Sequence, residues 1–404
     1  MKENIRLLPT RRFGRTEIEM PVLSLGGMRF QQSWSDLKKD EITKENQKNL
    51  IKILRFAADC GLHHIETARH YGTSEMQLGY AMKKVSDVKR IVQTKIPPRN
   101  NPNEFEKELE NSFSNLQCKH IDLLSIHGLN LPEHLEQTIR PGGCLDVIRR
   151  WQNMGRISHI GFSTHGPTDV IVRAIETDLF DYVNLHWYFI FQDNEEALNA
   201  AKNFDLGVFI ISPTDKGGHL HTPSETLLKL CSPIHPIVFN DLFCLSDPRI
   251  HTLSVGASKV QDLELHLQAV SLLNTAQDLL PIIINRLNSS AQSSLGEQWI
   301  DTCTVGMPTW DQTPGGINMP TLIWLYNLYK SWDMDSYVQA RYRLLGNGSH
   351  WFPGANSDQL DNTVTEDALK EVLQFSPWSN LIIDRLRELR DKFSGDSVKR
   401  LSKI

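Results

Sequence analysis

The stretch HHIETARHYGTSE, residues 63–75, decides how the rest of the chain is read. From His64 to Ala68, polar and apolar side chains alternate with the period of a short buried strand. Gly72 follows, and Ser74 and Glu75 before an amphipathic run read as a helix start. An acid, Glu66, therefore stands at a strand end. A tyrosine, Tyr71, follows in the loop that leads to the helix. In a closed barrel of alternating strands and helices, this is the end where catalytic groups collect.

The same alternation extends outward in both directions. VLSLGGM (22–28) reads as a preceding strand, and Thr43 to Cys60 as a helix with Leu50, Ile53, Leu54 and Ala57 on one face and Gly61 as its stop. Further strands are read at RIVQTKI (90–96), IDLLSIHG (121–128), ISHIGFST (157–164), YVNLHWY (182–188), GVFIIS (207–212) and HTLSVGA (251–257). Amphipathic runs at 104–116, at 144–154 and from about Val260 read as helices between and after them. Eight such units in roughly 250 residues predict a (β/α)₈ TIM barrel over residues 10–275. A doubly wound open sheet is the rival, but LGGMRF is no GxGxxG phosphate fingerprint.

Beyond Thr275 the strand signals stop. Six of the nine tryptophans lie there: Trp299, Trp310, Trp324, Trp332, Trp351 and Trp378. Helices are expected over 279–295, 320–332, 337–345, 366–375 and 380–393. Thr363 and Glu366 read as a capping box, and Gly346 as a helix stop. Residues 276–404 are read as a smaller, all-helical domain.

Composition bounds the function class. The 404 residues carry 43 Lys and Arg against 48 Asp and Glu, a net charge of −5. That balance argues against nucleic acid as the main partner, because phosphate binding needs a basic surface. No apolar run is long enough to span a bilayer, and the polar start of the chain lacks a signal peptide's apolar core. The six cysteines are scattered, with no CxxC, and read as reduced thiols. A cytoplasmic protein with no membrane partner is expected. His63 and His64 point to opposite faces of one strand, so they do not share a metal, and no metal site is expected.

Four polar groups fall at the ends of successive strands: Glu66 with Tyr71, then Lys95, then His127. Neighbouring strands lie about 4.8 Å apart, so these ends form one cluster. Their types suit one chemistry. A phenol with a pKa near ~10 is a poor acid–base catalyst at neutral pH. An ammonium beside it favours the phenolate, and a carboxylate holds the ammonium in place. A histidine can bond the substrate oxygen. Such a set can protonate a carbonyl oxygen as hydride reaches its carbon.

These motifs resemble the aldo-keto reductases over residues 10 to 270. HIETARHYG is similar to the family's second-strand motif, VQTK to its lysine strand, LLSIHG to its histidine strand, and IGFSTH to the strand carrying a nicotinamide-binding Ser–Asn pair. ISPTDKGG resembles its phosphate loop, and SVGASKVQDLELHL its last-strand segment. The resemblance implies Tyr71, Lys95, His127 and Glu66 as a catalytic tetrad with Tyr71 the general acid, and a small carbonyl compound as substrate. It implies NADP(H) as cofactor, with NAD(H) the alternative. Ser163, Thr164 and Asn184 would bind the nicotinamide carboxamide. Ser212, Lys216 and Gly217 would touch the pyrophosphate, and Gly256, Ala257 and Ser258 would face the adenosine end.

Four positions depart from the family's pattern. Glu66 stands in place of Asp, Thr164 in place of Asn, and Ile211 where many members have a stacking aromatic. Asp262 lies near where NADP-preferring members carry Arg, and an acid there would repel a 2′-phosphate and favour NAD(H), with Lys259 beside it to compensate. The stretch from Cys303 to Trp332 resembles a subgroup fused to a ferredoxin-like 4Fe–4S domain. Met307, Trp310 and Thr313 occupy approximate cysteine positions, so no iron–sulfur cluster is expected and the domain is read as degenerate. The rival to a working reductase is a nicotinamide-nucleotide-binding sensor or scaffold with little turnover. An iron–sulfur electron carrier is disfavoured by the missing cysteines. The long loop 128–143 after His127 is expected to shape the substrate pocket.

Overall fold

The computed structural model describes residues 7–397. Two compact units emerge. One holds the described chain up to Gly217 together with Ile237–Ala276, and the other holds Gly218–Pro236 and the described chain from Gln277 onward.

The first unit opens with an antiparallel hairpin, β1 (Thr10–Arg12) and β2 (Glu19–Pro21), which the sequence reading did not include. Eight parallel strands follow: β3 (Leu23–Gly26), β4 (His64–Glu66), β5 (Ile91–Ile96), β6 (Ile121–His127), β7 (Ile157–Ser163), β8 (Tyr182–Leu185), β9 (Gly207–Ile210) and β10 (Thr252–Gly256). They close into a barrel in sequence order, with β10 pairing back onto β3. The fold is thus a (β/α)₈ barrel with an additional C-terminal helical region. Around the strands run α1 (Lys44–Asp59), α2 (Ser74–Lys84), α3 (Pro102–Leu116), α4 (Pro132–Ile139), α5 (Cys144–Asn153), α6 (Thr168–Glu176) and α7 (Glu195–Asn203). Then come α8 (Glu225–Cys231), α9 (Pro236–Ser246) and α10 (Glu264–Ser271). The helices α8 and α9 lie between β9 and β10, where the sequence reading placed no helix.

Several strands are shorter than their apolar runs: β8 ends at Leu185 and β9 at Ile210. The helices α1, α3 and α5 bury Leu50, Ile53 and Leu54, Phe105 and Leu109, and Val147 and Ile148 against the outside of the barrel. Inside, the N-terminal end is filled by Phe13, Leu123, Tyr182 and Phe209, all fully buried. Above them sits a polar layer. Ser24 Oγ lies 2.6 Å from His64 Nδ1 and 2.7 Å from Thr252 Oγ1. Such layers, drawn from alternate strands, are how a barrel interior is filled.

The second unit contains α8 and then α11 (Ala276–Leu295), α12 (Glu297–Thr302), α13 (Met319–Trp332), α14 (Asp335–Tyr342), α15 (Glu366–Val372) and α16 (Ser379–Phe393). Two of its buried indoles are held by hydrogen bonds. Trp299 packs edge-on to Trp378 at 5.5 Å, and its Nε1 donates to Asn327 Oδ1 at 2.8 Å. Trp332 Nε1 donates to the Leu287 carbonyl at 3.1 Å. The cap of α15 is Thr365, whose hydroxyl accepts from Ala368 N–H, and not Thr363. Thr363 instead bonds Gln359 at 3.2 Å, a local side-chain contact that the spacing rule does not see. All six cysteines are free, and no single described helix is long and apolar enough to cross a membrane.

Candidate active site

Glu66 ends β4, Lys95 is the penultimate residue of β5, and His127 ends β6. All three side chains are turned into the barrel mouth and buried, and Tyr71 joins them from the β4–α2 loop. Gly72 (φ +54°) makes that loop possible. A Cβ there would lie 1.9 Å from the Ser33 carbonyl, so the strand of chain around Trp34 rests directly on it. Trp34 meets the Tyr71 ring edge-on at 6.4 Å, and the Tyr71 and His127 rings meet edge-on at 5.6 Å.

Lys95 is the centre of the set and is 1 % exposed. Its ammonium donates to Glu66 Oε2, to the Thr67 carbonyl at 2.8 Å and to Tyr71 Oη at 3.5 Å. Burial alone would lower the Lys95 pKa, but the charge of Glu66 and the Tyr71 oxygen outweigh it, and the net direction is upward. The second Glu66 oxygen, Oε1, accepts from Ser254 Oγ on β10 at 2.8 Å. Buried ionic groups are stable only when each partner is compensated in this way.

Ser74 and Glu75 are more than a helix start. Thr73 occupies the capping position of α2, while Ser74 Oγ donates to the Gly27 carbonyl at 2.7 Å. Glu75 is fully buried and accepts from Thr94 Oγ1 at 2.6 Å, and burial pushes its carboxyl pKa up.

The nicotinamide positions are placed unequally. Ser163 and Asn184 are paired across β7 and β8 and are both buried. Asn184 Oδ1 accepts from Gln93 Nε2 at 3.4 Å, whereas its buried Nδ2 finds no partner among the described residues. That orphan amide fits an acceptor such as a carboxamide oxygen. Thr164 is different. It is fully buried, its hydroxyl donates to Asn130 Oδ1 at 3.4 Å, and it accepts from Gly166 N–H at 3.0 Å. Its hydroxyl is thus engaged by Asn130 and Gly166.

Ser212, Lys216 and Gly217 share the loop after β9. Ser212 has a left-handed backbone (φ 53°), held beside Tyr188, whose hydroxyl donates to the Ile211 carbonyl. Lys216 Nζ lies 3.2 Å from His165 Nδ1, and Asn240 Nδ2 donates to the Pro213 carbonyl at 3.1 Å. Gly256, Ala257 and Ser258 follow β10. Asp262 accepts from Ser258 N–H and Oγ, both at 2.8 Å, and from Lys259 N–H at 3.3 Å. Its carboxylate therefore folds back on the loop. Arg29, which the sequence reading passed over, lies against Gly256, where a Cβ would come within 2.8 Å of its Cδ. No three His, Cys, Asp or Glu side chains among the described residues come together to hold a metal.

A glutamate, a buried lysine and a histidine at the C-terminal ends of consecutive barrel strands, with a tyrosine from the loop after the first, thus stand in one cluster. The model of the aldo/keto reductase family matches residues 22–278, most of the chain, and the chain belongs to that family. Solved structures agree in fold. An aldo-keto reductase, AKR11C1 from Bacillus halodurans (holo form), is 18 % identical with a TM-score of 0.55, covering 67 % of this chain and 96 % of its own. An aldo-keto reductase from Klebsiella pneumoniae in complex with NADPH is 17 % identical with a TM-score of 0.55, covering 69 % and 94 %. A search of curated proteins finds no match.

Proposed function

We propose that this chain is an oxidoreductase that reduces an aldehyde or ketone to an alcohol with a reduced nicotinamide nucleotide. The observation that carries the reading is Lys95, buried and held between Glu66 and Tyr71. A lysine in so closed a site is costly unless its charge has work to do. Membership of the family and the NADPH bound by the Klebsiella pneumoniae protein support the cofactor class.

Bound nicotinamide would supply the hydride. Ser163 and the orphan amide of Asn184 would hold its carboxamide, and Ser212, Lys216 and Gly217 its pyrophosphate. Gly256, Ala257 and Ser258 would meet the adenosine end. The proton comes from the chain. Tyr71 Oη gives it to the carbonyl oxygen, and the Lys95 charge stabilises the phenolate left behind. Glu66 keeps Lys95 charged and in place, and His127 shares the oxygen's surroundings. Thr164 takes no direct part in this scheme. We favour NADP(H) over NAD(H): Asp262 is turned into its own loop and Arg29 stands at the adenosine end, so the expected repulsion of a 2′-phosphate is weakened. The C-terminal helices are proposed to be a ferredoxin-like domain without its cluster.

The test is fluorescence titration with NADPH and NADH, then loss of reduced cofactor with a panel of aldehydes and ketones. Tyr71→Phe should lower turnover at least about a hundredfold while nucleotide affinity is retained. Undiminished turnover in that variant would refute the role of Tyr71. Nucleotide binding with no turnover across the panel would support the sensor reading instead, and equal affinity for both nucleotides would remove the preference for NADP(H).

A further inference from the structure

A glutamate at position 66 poses a geometric problem. Its carboxylate reaches one methylene further than the aspartate that the resemblance leads one to expect. In a closed barrel mouth that extra length has to go somewhere. Three residues on three neighbouring strands resolve it. In the register of β3, Gly26 lies opposite Glu66 on β4 on one side and Gly256 on β10 on the other. Ser254, two residues before Gly256, faces the same interior. Ser254 Oγ donates to Glu66 Oε1 at 2.8 Å, a bond that crosses β3 over Gly26. A Cβ on Gly26 would lie 2.7 Å from Ser254 Oγ, closer than a methyl group can sit, and a tight 3.1 Å from Glu66 Oε1. Gly26 is therefore the opening through which the bond is made.

The layer below shows what happens without the opening. There β3 contributes Ser24, and its hydroxyl sits between His64 of β4 and Thr252 of β10, at 2.6 Å and 2.7 Å. In the layer of Gly26 the bridging side chain is missing and the two outer residues meet directly. The bond is fully enclosed, with Glu66 4 % and Ser254 7 % exposed. Its effect is to fix one carboxylate oxygen, so that the other, Oε2, faces the Lys95 ammonium.

We propose that Ser254 is a positioning residue of the catalytic set, and that with Gly26 it is what allows a glutamate to hold Lys95 against Tyr71. The inference rests on the reading of Tyr71 as the proton donor. It assigns Ser254 no contact with substrate or cofactor. It also reverses the naive expectation for position 66. An aspartate there cannot reach both Ser254 and Lys95 from the present backbone, so Glu66→Asp impairs the site rather than improving it.

The test is the ionisation of Tyr71, which needs no turnover. The difference in ultraviolet absorbance between the full chain and its Tyr71→Phe variant follows the Tyr71 phenolate as pH is raised. Ser254→Ala, made in both backgrounds, should move that midpoint upward by at least half a pH unit, because a loosely held Glu66 leaves Lys95 less well placed to stabilise the phenolate. Ser254→Thr, which keeps the hydroxyl, should restore it. With NADPH and 4-nitrobenzaldehyde, Ser254→Ala should lower kcat about tenfold, the scale of one charge-assisted hydrogen bond. It should also move the alkaline limb of the kcat profile to higher pH, with NADPH affinity unchanged. Glu66→Asp and Gly26→Ala should behave like Ser254→Ala. A Tyr71 midpoint unmoved by Ser254→Ala in a folded protein, or an Glu66→Asp variant as active as the original chain, overturns the inference. If the original chain reduces no aldehyde or ketone of the panel while the midpoint still moves, the reductase reading falls and the positioning role of Ser254 stands.

Discussion

At the scale of single residues, the barrel interior makes a prediction about acid. His64 is fully buried, and burial, assisted by the Lys95 charge, lowers its pKa to about 3. The same imidazole in an unfolded chain titrates near ~6.5. Below that value the unfolded chain takes up a proton that folded His64 refuses, so stability is complete above about pH 6.5 and is lost as the pH falls toward 3. One such proton corresponds to a slope of about 1.4 kcal/mol per pH unit. His251, lowered to about 4 chiefly by burial, adds in the same direction. Denaturant unfolding should approach this slope between about pH 5.5 and pH 4, and His64→Asn should reduce it. An identical slope in the variant would remove His64 from the account.

The same residues show what a sequence can disclose. Glu66, Tyr71, Lys95 and His127 were legible because each stands at or just beyond a strand end, and strand ends can be read from local alternation. Ser254 was not. It lies 188 residues from Glu66 and meets it only because β10 closes onto β3. Nothing local in HTLSVGA marks its hydroxyl as different from that of any other strand serine. The engagement of Thr164 by Asn130 and the turn of Asp262 into its own loop were hidden for a different reason. Both depend on which rotamer a side chain takes, and residue type alone leaves that open.

At the scale of elements, the helix periods were the reliable signal and the caps the weaker one. The residues that start α15 illustrate the point. Spacing favoured Thr363 with Glu366, but the chain places Thr365 at the cap, with its hydroxyl on the Ala368 N–H. Thr365→Ala should therefore cost about 1 kcal/mol, the usual loss for a capping hydroxyl, seen as a lower melting temperature. Thr363→Ala, with its exposed contact to Gln359, should cost well under half of that. A reversal of the two would return the cap to Thr363. The helices α8 and α9 carry little periodic signal, because α8 has only 7 residues and α9, PIVFNDLFCLS, is apolar on most of its sides.

At the scale of the whole chain, the feature that matters is the excursion Gly218–Pro236, which belongs with residues beyond 277 and not with the strands on either side of it. Its Ser224 Oγ donates to the Trp332 carbonyl at 2.6 Å, and Thr226 Oγ1 donates to Asp333 at 2.5 Å. His219 meets the Tyr337 ring edge-on at 5.3 Å. A fragment ending at residue 275 strips these partners away. Limited proteolysis read by mass spectrometry should find it cut within 218–236 under conditions that leave the full chain intact. A fragment as resistant as the full chain would show that the excursion needs none of those bonds.

That excursion also sets a clock on synthesis. Ser224 and Trp332 are 108 residues apart, and the ribosome adds roughly 5–20 residues per second, so the excursion is made roughly 5–20 s before its partner exists. Meanwhile β10, which closes the barrel, lies between the two and emerges first. The newborn chain can therefore complete its ring of strands while residues 218–236 still wait, with Ser224 and Thr226 lacking their partners, for helices not yet translated. The interval is one in which a chaperone has a segment without its partners to hold.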